Sequence, residues 1–217
     1  VMPADAPRIK LETTRANGAE IITYDRVNES REEIGSKISG ERGMALIKPF
    51  DDALVIAGQG TAGLEIAQEI TPDIALAPGS GGGLASGVSI ALPATKAYAI
   101  EPEGHDDITR SLAAGARVRN EPGVRSICDG LLTEEMGDIT YEIARTRFAG
   151  ALAIPDIEVK RAMGFAFRQL KLVLEPSGAI ALAAALTGAV ELKGKTVAII
   201  ESGGNVDKQT FIDALNA

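Results

Sequence analysis

The chain has 217 residues and a net charge of −8, from 22 lysine and arginine residues against 30 aspartate and glutamate residues. Its hydrophobic content of 45% excludes a largely disordered protein, and its pI near 4.8 disfavours nucleic acid as a partner because phosphates repel an acidic surface. A single cysteine excludes an internal disulfide framework, and no apolar run approaches the roughly 20 residues of a membrane span. With no signal-peptide pattern at the start, we expect a cytoplasmic protein that does not bind membranes.

Helices and strands are predicted to alternate along the chain. The first part is predicted to contain a helix at 7–17, a strand at 19–24, a helix at 29–41, a strand at 44–47, a helix at 54–70 interrupted at 58–60, and a strand at 73–77. The second part is predicted to contain a helix from 83 to 92, a strand at 97–100, a helix at 106–114 capped by Asp106, a loop at 121–137, helices at 139–148, at 156–170 (capped by Asp156) and at 176–186, a strand at 196–200, and a helix that begins at Asp207. This alternation predicts an α/β fold, with a mainly parallel sheet and helices on both faces. Pro49 to Asp52 mark the expected boundary between a small lobe, 1–48, and a larger one, 49–217.

The strongest local signal is the run Gly79-Ser80-Gly81-Gly82-Gly83, which follows a predicted strand and opens a predicted helix. Glycines let main-chain amides approach an anion closely, and the helix N-terminus adds positive potential, so the run predicts a phosphate site. No lysine follows it, which disfavours a nucleotide triphosphatase, and Ser86 stands where a dinucleotide motif counted from Gly81 would need its last glycine. A flexible turn without a ligand is the alternative.

Two further strand ends carry polar side chains. Ser202 follows the late strand, where it could bond a cofactor or merely form part of a turn. The segment 101–107 is rich in oxygen ligands suited to Mg²⁺ or Ca²⁺, although a solvated acidic turn is the simpler alternative. His105 is the only histidine and no G-x-S-x-G motif accompanies it, which disfavours a hydrolase triad, and Cys128 is interpreted as a small buried residue.

Taken together, several segments resemble the threonine dehydratase and serine racemase family, which are fold type II enzymes that use pyridoxal 5′-phosphate (PLP). The segments that carry the resemblance are 2–7 with Lys10, 17–20, 49–52, 55–61, the glycine run, 101–103, 128–130, 174–179 and 202–207. They occur in the family's order over nearly the whole chain. The resemblance implies a large cofactor domain, 49–217, and the remainder of a small domain, 1–48.

The resemblance also implies a role for each matching residue. Ser80, Gly81, Gly82 and Gly83 would hold the cofactor phosphate through main-chain amides. Ser202 would bond the pyridine nitrogen, Phe50 and Gly130 would line the cofactor, and Glu175 would lie nearby. In metal-dependent relatives the equivalents of Glu101 and Asp107, with the main-chain carbonyl of His105, bind a divalent cation such as Mg²⁺ or Ca²⁺.

One part of the family pattern is missing. The lysine that forms the Schiff base, in a Ser-Phe-Lys type motif, does not occur in the 217 residues, and the family's Ser-x-Gly-Asn type loop for the substrate carboxylate is expected upstream of the matching segments. We therefore expect the chain to be the C-terminal two thirds of an enzyme, with no catalytic residue of its own and no activity alone. Its expected partners are the missing N-terminal segment, a second copy in a homodimer, and a small amino-acid substrate.

The resemblance implies an ammonia-lyase that converts threonine, serine or 3-hydroxyaspartate to a 2-oxo acid and ammonia. Serine racemisation on the same scaffold is an alternative. A non-catalytic module that binds PLP or phosphate is another, and the absent lysine favours it.

Overall fold

Residues 1–48 form the first of two units in the computed structural model, which describes all 217 residues; the second unit is Pro49–Ala217. The first unit contains β1 (Met2–Pro3), α1 (Arg8–Ala16), β2 (Thr23–Tyr24) and α2 (Arg31–Arg42). Their assignment to the small domain of an enzyme stays a prediction.

The strands of this first unit are shorter than predicted. β2 covers only two residues of the predicted strand at 19–24, because its sole partner is the equally short β1. The predicted strand at 44–47 was wrong: the segment is irregular, and Met44, Leu46 and Ile47 are exposed. An apolar run forms a strand only where a neighbouring strand and a core receive it.

A four-stranded parallel sheet lies at the centre of the second unit. This unit contains α3 (Ala53–Glu69), β3 (Ile74–Pro78), α4 (Gly83–Ala91), β4 (Lys96–Pro102), α5 (Asp107–Ala114), α6 (Asp138–Arg147), β5 (Phe148–Ile154), α7 (Asp156–Phe165), α8 (Pro176–Thr187), β6 (Val197–Ile199) and α9 (Lys208–Leu215). The strand order is β5-β4-β3-β6, and every neighbouring pair is parallel. The predicted α/β class with a parallel sheet is confirmed. No helix of the chain combines the length and the apolar character needed to cross a bilayer.

Strand β3 is buried along its whole length. Leu76 belongs to a core cluster with Met163 of α7 and Ile180 of α8, whereas Ala75 belongs to a cluster with Val88 of α4. Because successive side chains of a strand point to opposite faces, helices cover both faces of this sheet, as predicted.

Two predicted helices differ from those in the structure, one in where it ends and one in its helix type. The predicted helix at 139–148 stops at Arg147, because the next seven residues form β5 and pair with β4. Alanine and glycine have low strand propensity, so β5 was missed from the sequence. The predicted helix at 156–170 changes to a π-helix over Ala166–Leu170. Asp156 does not cap it, since its carboxylate accepts hydrogen bonds from Ser126 Oγ and the Ile127 N–H.

Helix α3 runs without the interruption predicted at residues 58–60, and it packs tightly against α4. A Cβ atom built on Gly87 would lie 2.5 Å from both the Gly60 nitrogen and the Ile56 carbonyl oxygen. A Cβ atom on Gly60 would lie 3.0 Å from the Gly87 carbonyl oxygen. The glycines therefore allow the two helix backbones to touch, and this packing outweighs their low helix propensity.

We predict that Gly87→Ala destabilises the protein by about 1–3 kcal/mol, because the new methyl group overlaps the backbone of α3. The matched control is Gly58→Ala on α3, where an added Cβ meets nothing within 4 Å. The control should gain up to about 1 kcal/mol from alanine's helix propensity. Urea unfolding of both variants measures the difference, and equal stabilisation of both would contradict the close helix contact.

Candidate functional site

Several predicted site residues lie at the carboxyl edge of the sheet. The glycine run follows β3, Glu101 lies near the end of β4, and Ser202 follows β6. Leu76 of β3 pairs with Ile199, and the Ile200 N–H donates to the Leu76 carbonyl at 2.9 Å. Because all four strands are parallel, these segments leave the sheet at the same edge, where ligands of open α/β sheets bind.

The glycine run forms a buried turn into α4. Gly82 has a left-handed φ of 89°, which glycine adopts without strain. The first amide to donate along the helix is that of Ser86, which bonds the Gly82 carbonyl at 2.9 Å. The amides of Gly83, Leu84 and Ala85 consequently have no acceptor within the helix. A helix N-terminus of this kind suits a phosphate, because its amides and its dipole both favour negative charge.

Phe50 packs directly on this turn. A Cβ atom on Gly81 would lie 2.3 Å from the Phe50 ring, and one on Gly83 would lie 3.0 Å from the Phe50 Cα. The Ser80 hydroxyl lies on another side, where it donates to Thr133 Oγ1 at 2.7 Å and accepts from the Thr133 N–H at 3.3 Å. Since the Ser80 side chain is engaged in this way, an anion would meet the main-chain amides of the run.

A second cluster gathers at the start of α8. The Glu175 N–H donates to the Gly203 carbonyl at 3.0 Å, and a Cβ on Gly203 would lie 2.3 Å from Glu175 Oε1. Ser202, which is exposed, is therefore one residue from the contact with Glu175. The Gly130 N–H donates to Ser177 Oγ at 3.0 Å, which brings the predicted cofactor-lining loop to the same helix end. The glycine run follows β3 and the segment with Ser202 and Gly203 follows β6, and these two strands are neighbours in the sheet.

Glu101 is fully buried and caps α5. Its carboxylate accepts from the Ile108 N–H at 2.8 Å, the Thr109 N–H at 2.9 Å and Thr109 Oγ1 at 2.8 Å. Asp106 occupies the N-cap position of α5, as predicted, but its side chain makes no capping hydrogen bond and accepts instead from Arg110 Nε. Burial, together with the negative charge of Asp107, raises the pKa of Glu101 to about 8.

Asp107 is equally buried, and burial raises its pKa to about 7. Its Oδ1 accepts from Asn120 Nδ2 at 2.8 Å, whereas its Oδ2 is buried without a hydrogen-bond partner. The His105 ring donates from Nε2 to the Val124 carbonyl at 2.9 Å, and its Nδ1 is buried without a hydrogen-bond partner. No group of three or more histidine, cysteine or acidic side chains is placed to share a metal ion.

Two buried, electrostatically coupled carboxylates with an unsatisfied oxygen nevertheless form a donor set that suits a hard divalent cation. The third ligand would be the backbone oxygen that the resemblance implies.

Cys128 is buried, and burial raises its pKa to about 12, which agrees with an inert structural thiol.

Sequence reasoning missed the side chains that hold the site in place. Thr133 and Ser177 bond the glycine run and the Gly130 loop, and Asn120 bonds Asp107. Thr133 and Ser177 lie 53 and 47 positions from their partners. No motif marks Thr133 or Asn120, and the family segment 174–179 contains Ser177 without indicating what it bonds. Only the folded arrangement gives such isolated polar residues a role.

Comparison with known proteins identifies the family. Residues 1–203 match the model described as "Pyridoxal-phosphate dependent enzyme". L-threo-3-hydroxyaspartate ammonia-lyase of Saccharomyces cerevisiae is 41% identical over 217 residues, which cover 97% of this chain and 66% of that protein. Serine racemase of Schizosaccharomyces pombe is 35% identical over 221 residues, covering 100% of this chain and 68% of that protein.

A solved structure agrees with these relatives. Maize serine racemase superimposes with a TM-score of 0.88 at 37% identity, covering 99% of this chain and 68% of that one. The chain thus spans about two thirds of the length of the relatives it matches. By sequence and by fold, the chain belongs to the family of pyridoxal-phosphate-dependent enzymes.

Proposed function

We propose that this chain provides the PLP site of an ammonia-lyase that acts on small β-hydroxy amino acids. The observation that carries the proposal is the buried glycine run, which opens α4 at the carboxyl edge of a parallel sheet. That geometry suits a phosphate monoester. Relatives named as ammonia-lyases for 3-hydroxyaspartate and threonine support this choice of reaction.

The chain's own residues would hold the cofactor at both ends. Main-chain amides from Ser80 to Gly83 would receive the phosphate, and the Ser202 hydroxyl would face the pyridine nitrogen. A hydroxyl can donate or accept, so Ser202 does not force that nitrogen to carry a proton, as a carboxylate would. When bound, PLP supplies a sink for the electrons left on the substrate α-carbon after proton loss. Phe50, Gly130 and Glu175 would surround the ring and limit the access of water.

Proton transfer at the substrate is not assigned to any residue of this chain. The lysine motif of the family does not occur among the 217 residues, and their one Ser-x-Gly-Asn spacing, Ser202 to Asn205, is already assigned to the cofactor and not to the substrate carboxylate. We therefore propose that the chain alone is inactive and that turnover needs both features. We also propose that the active form is a homodimer.

Serine racemisation is the second candidate, because serine racemases are 35–38% identical to this chain. The product formed from the amino acid distinguishes the two reactions. We expect protein purified from its natural source to release 2-oxo acid and ammonia from L-threonine, L-serine or 3-hydroxyaspartate, whereas the 217-residue chain alone yields neither. D-serine as the major product from L-serine would contradict the lyase proposal. Turnover by the chain alone would contradict its inactivity.

We predict that Ser202→Ala changes the absorbance spectrum of bound PLP and weakens its binding, because the pyridine nitrogen loses its hydrogen-bond partner. Since Ser202 is exposed, the cofactor-free variant should unfold at the same urea concentration as the cofactor-free wild type. Ser202→Thr keeps the hydroxyl and should retain the wild-type spectrum. An unchanged spectrum and affinity in Ser202→Ala would remove Ser202 from the site.

We further propose that Glu101, Asp107 and the main-chain carbonyl of His105 hold Mg²⁺ or Ca²⁺. The support is the buried Asp107 Oδ2 without a hydrogen-bond partner, next to a second buried carboxylate. A cation there would offset the cost of burying two negative charges. It would act on the stability of the β4–α5 connection and not on the substrate.

We predict that Mg²⁺ raises the melting temperature of the wild type and that Asp107→Asn abolishes this rise. At a hundredfold excess over its Kd, a bound ion contributes about 2.7 kcal/mol. The variant is isosteric, and its amide oxygen can still accept from Asn120. Asp106→Asn removes the same charge one residue earlier, outside the proposed ligand set, and should keep the Mg²⁺ effect. Differential scanning fluorimetry measures these melting temperatures. Loss of the Mg²⁺ effect in both variants, or in neither, would contradict this ligand set.

A further inference from the structure

Thr140 is a completely buried hydroxyl residue in the first turn of α6. Its Oγ1 lies 2.7 Å from the Gly81 carbonyl oxygen and 3.2 Å from the Gly137 carbonyl oxygen. A threonine hydroxyl has one proton, and the shorter distance directs it to Gly81. Thr140 thus reaches 59 positions along the chain to bond the centre of the glycine run.

This hydrogen bond determines which way one peptide group faces. The chain has no cis peptide bond, so the Gly81 carbonyl and the Gly82 N–H point in opposite directions. With the oxygen held by Thr140, the Gly82 N–H faces away from α6. Glycine on both sides would otherwise leave this peptide free to rotate, since glycine adopts φ of either sign.

Further contacts hold the start of α6 and the turn beside Thr140 in place. Asp51 Oδ1 accepts from the Ile139 N–H at 2.9 Å, which ties the start of α6 to the residue that follows Phe50. A Cβ atom on Gly82 would lie 3.0 Å from both Thr140 Cβ and Met136 Cε, so the turn has little space to move toward α6. The hydroxyl therefore lies at a fixed position behind the run.

We propose that Thr140 is a positioning residue for phosphate: it orients the Gly81–Gly82 peptide so that the Gly82 N–H faces the bound phosphate group. The inference rests on the proposed function, because it takes the glycine run to be the phosphate site. Thr140 itself does not touch the ligand. Its contribution is to keep one amide in the binding orientation before the anion arrives, which reduces the ordering cost of binding.

The test uses pyridoxine 5′-phosphate, whose alcohol cannot condense with lysine, and pyridoxine, which lacks the phosphate. We expect Thr140→Val to weaken binding of pyridoxine 5′-phosphate roughly tenfold in isothermal titration calorimetry, the size of one lost hydrogen bond. Pyridoxine binding should not change. Thr140→Ser keeps the hydroxyl and should bind the phosphorylated ligand within about threefold of the wild type.

The matched control is Thr146→Val on the same helix. Thr146 Oγ1 bonds only the Glu142 and Ile143 carbonyls of α6, so this variant loses a hydroxyl without touching the glycine run. It should bind both ligands as the wild type does. Equal binding by Thr140→Val and the wild type, or equal loss for pyridoxine and its phosphate, would overturn the inference.

A measurement on the wild type covers the case in which Thr140→Val does not fold. The Gly82 amide resonance should shift when pyridoxine 5′-phosphate is added and should not shift with pyridoxine. If the protein binds the phosphorylated ligand and the Gly82 resonance does not move, the inference about Thr140 is overturned and the proposed cofactor site is not. If the wild type does not bind pyridoxine 5′-phosphate, the proposed cofactor site fails, and the inference fails with it.

Discussion

The burial of strand β3 on both faces is the constraint on which the second unit depends. Ala75, Leu76 and Ala77 are almost completely inaccessible, and helices pack against them from both sides. Glycines in α3 and α4 let these two helices approach each other closely. A strand covered in this way cannot present polar groups along its length, because unpaired polar groups are costly to bury. The chain's chemistry is therefore concentrated where the strands end, and the glycine run begins directly after β3.

The buried polar groups at this edge differ in how they are satisfied. Glu101 accepts three hydrogen bonds and caps α5, and Thr140 bonds the glycine run, so both organise the backbone around them. Asp107 instead retains a buried oxygen without a hydrogen-bond partner beside a second carboxylate. Fully satisfied groups stabilise one arrangement, whereas an unsatisfied one is where a ligand gains the most by binding. Asp107 Oδ2 is therefore the atom of the proposed cation site that would gain most from a bound ion, whereas Glu101 would both cap α5 and bind the ion.

Much of the fold could be predicted because its signals are local. Buried strands such as β3 and the capping side chain of Asp207 are readable from neighbouring residues, and most helices occur where predicted. Strand β5 could not be predicted in the same way. Its alanines and glycine have weak strand preference, and pairing with β4 determines its conformation. The continuity of α3 through Gly58 and Gly60 likewise depends on α4 lying against it.

The same distinction between local signals and contacts made on folding applies to the candidate site. Residue type and spacing suffice to predict the α/β class, the glycine run after a strand, the two acidic residues and the order of the family's motifs. The folded arrangement was needed to show that Thr133 and Thr140 hold the run, that Phe50 packs on Gly81, and that the Glu101 side chain, not that of Asp106, makes the capping hydrogen bonds of α5. A hydrogen bond or a steric contact depends on distance in space and not on separation along the chain. Partners as distant in the chain as Thr140 and Gly81, which are 59 positions apart, come into contact only when the sheet and its helices have packed.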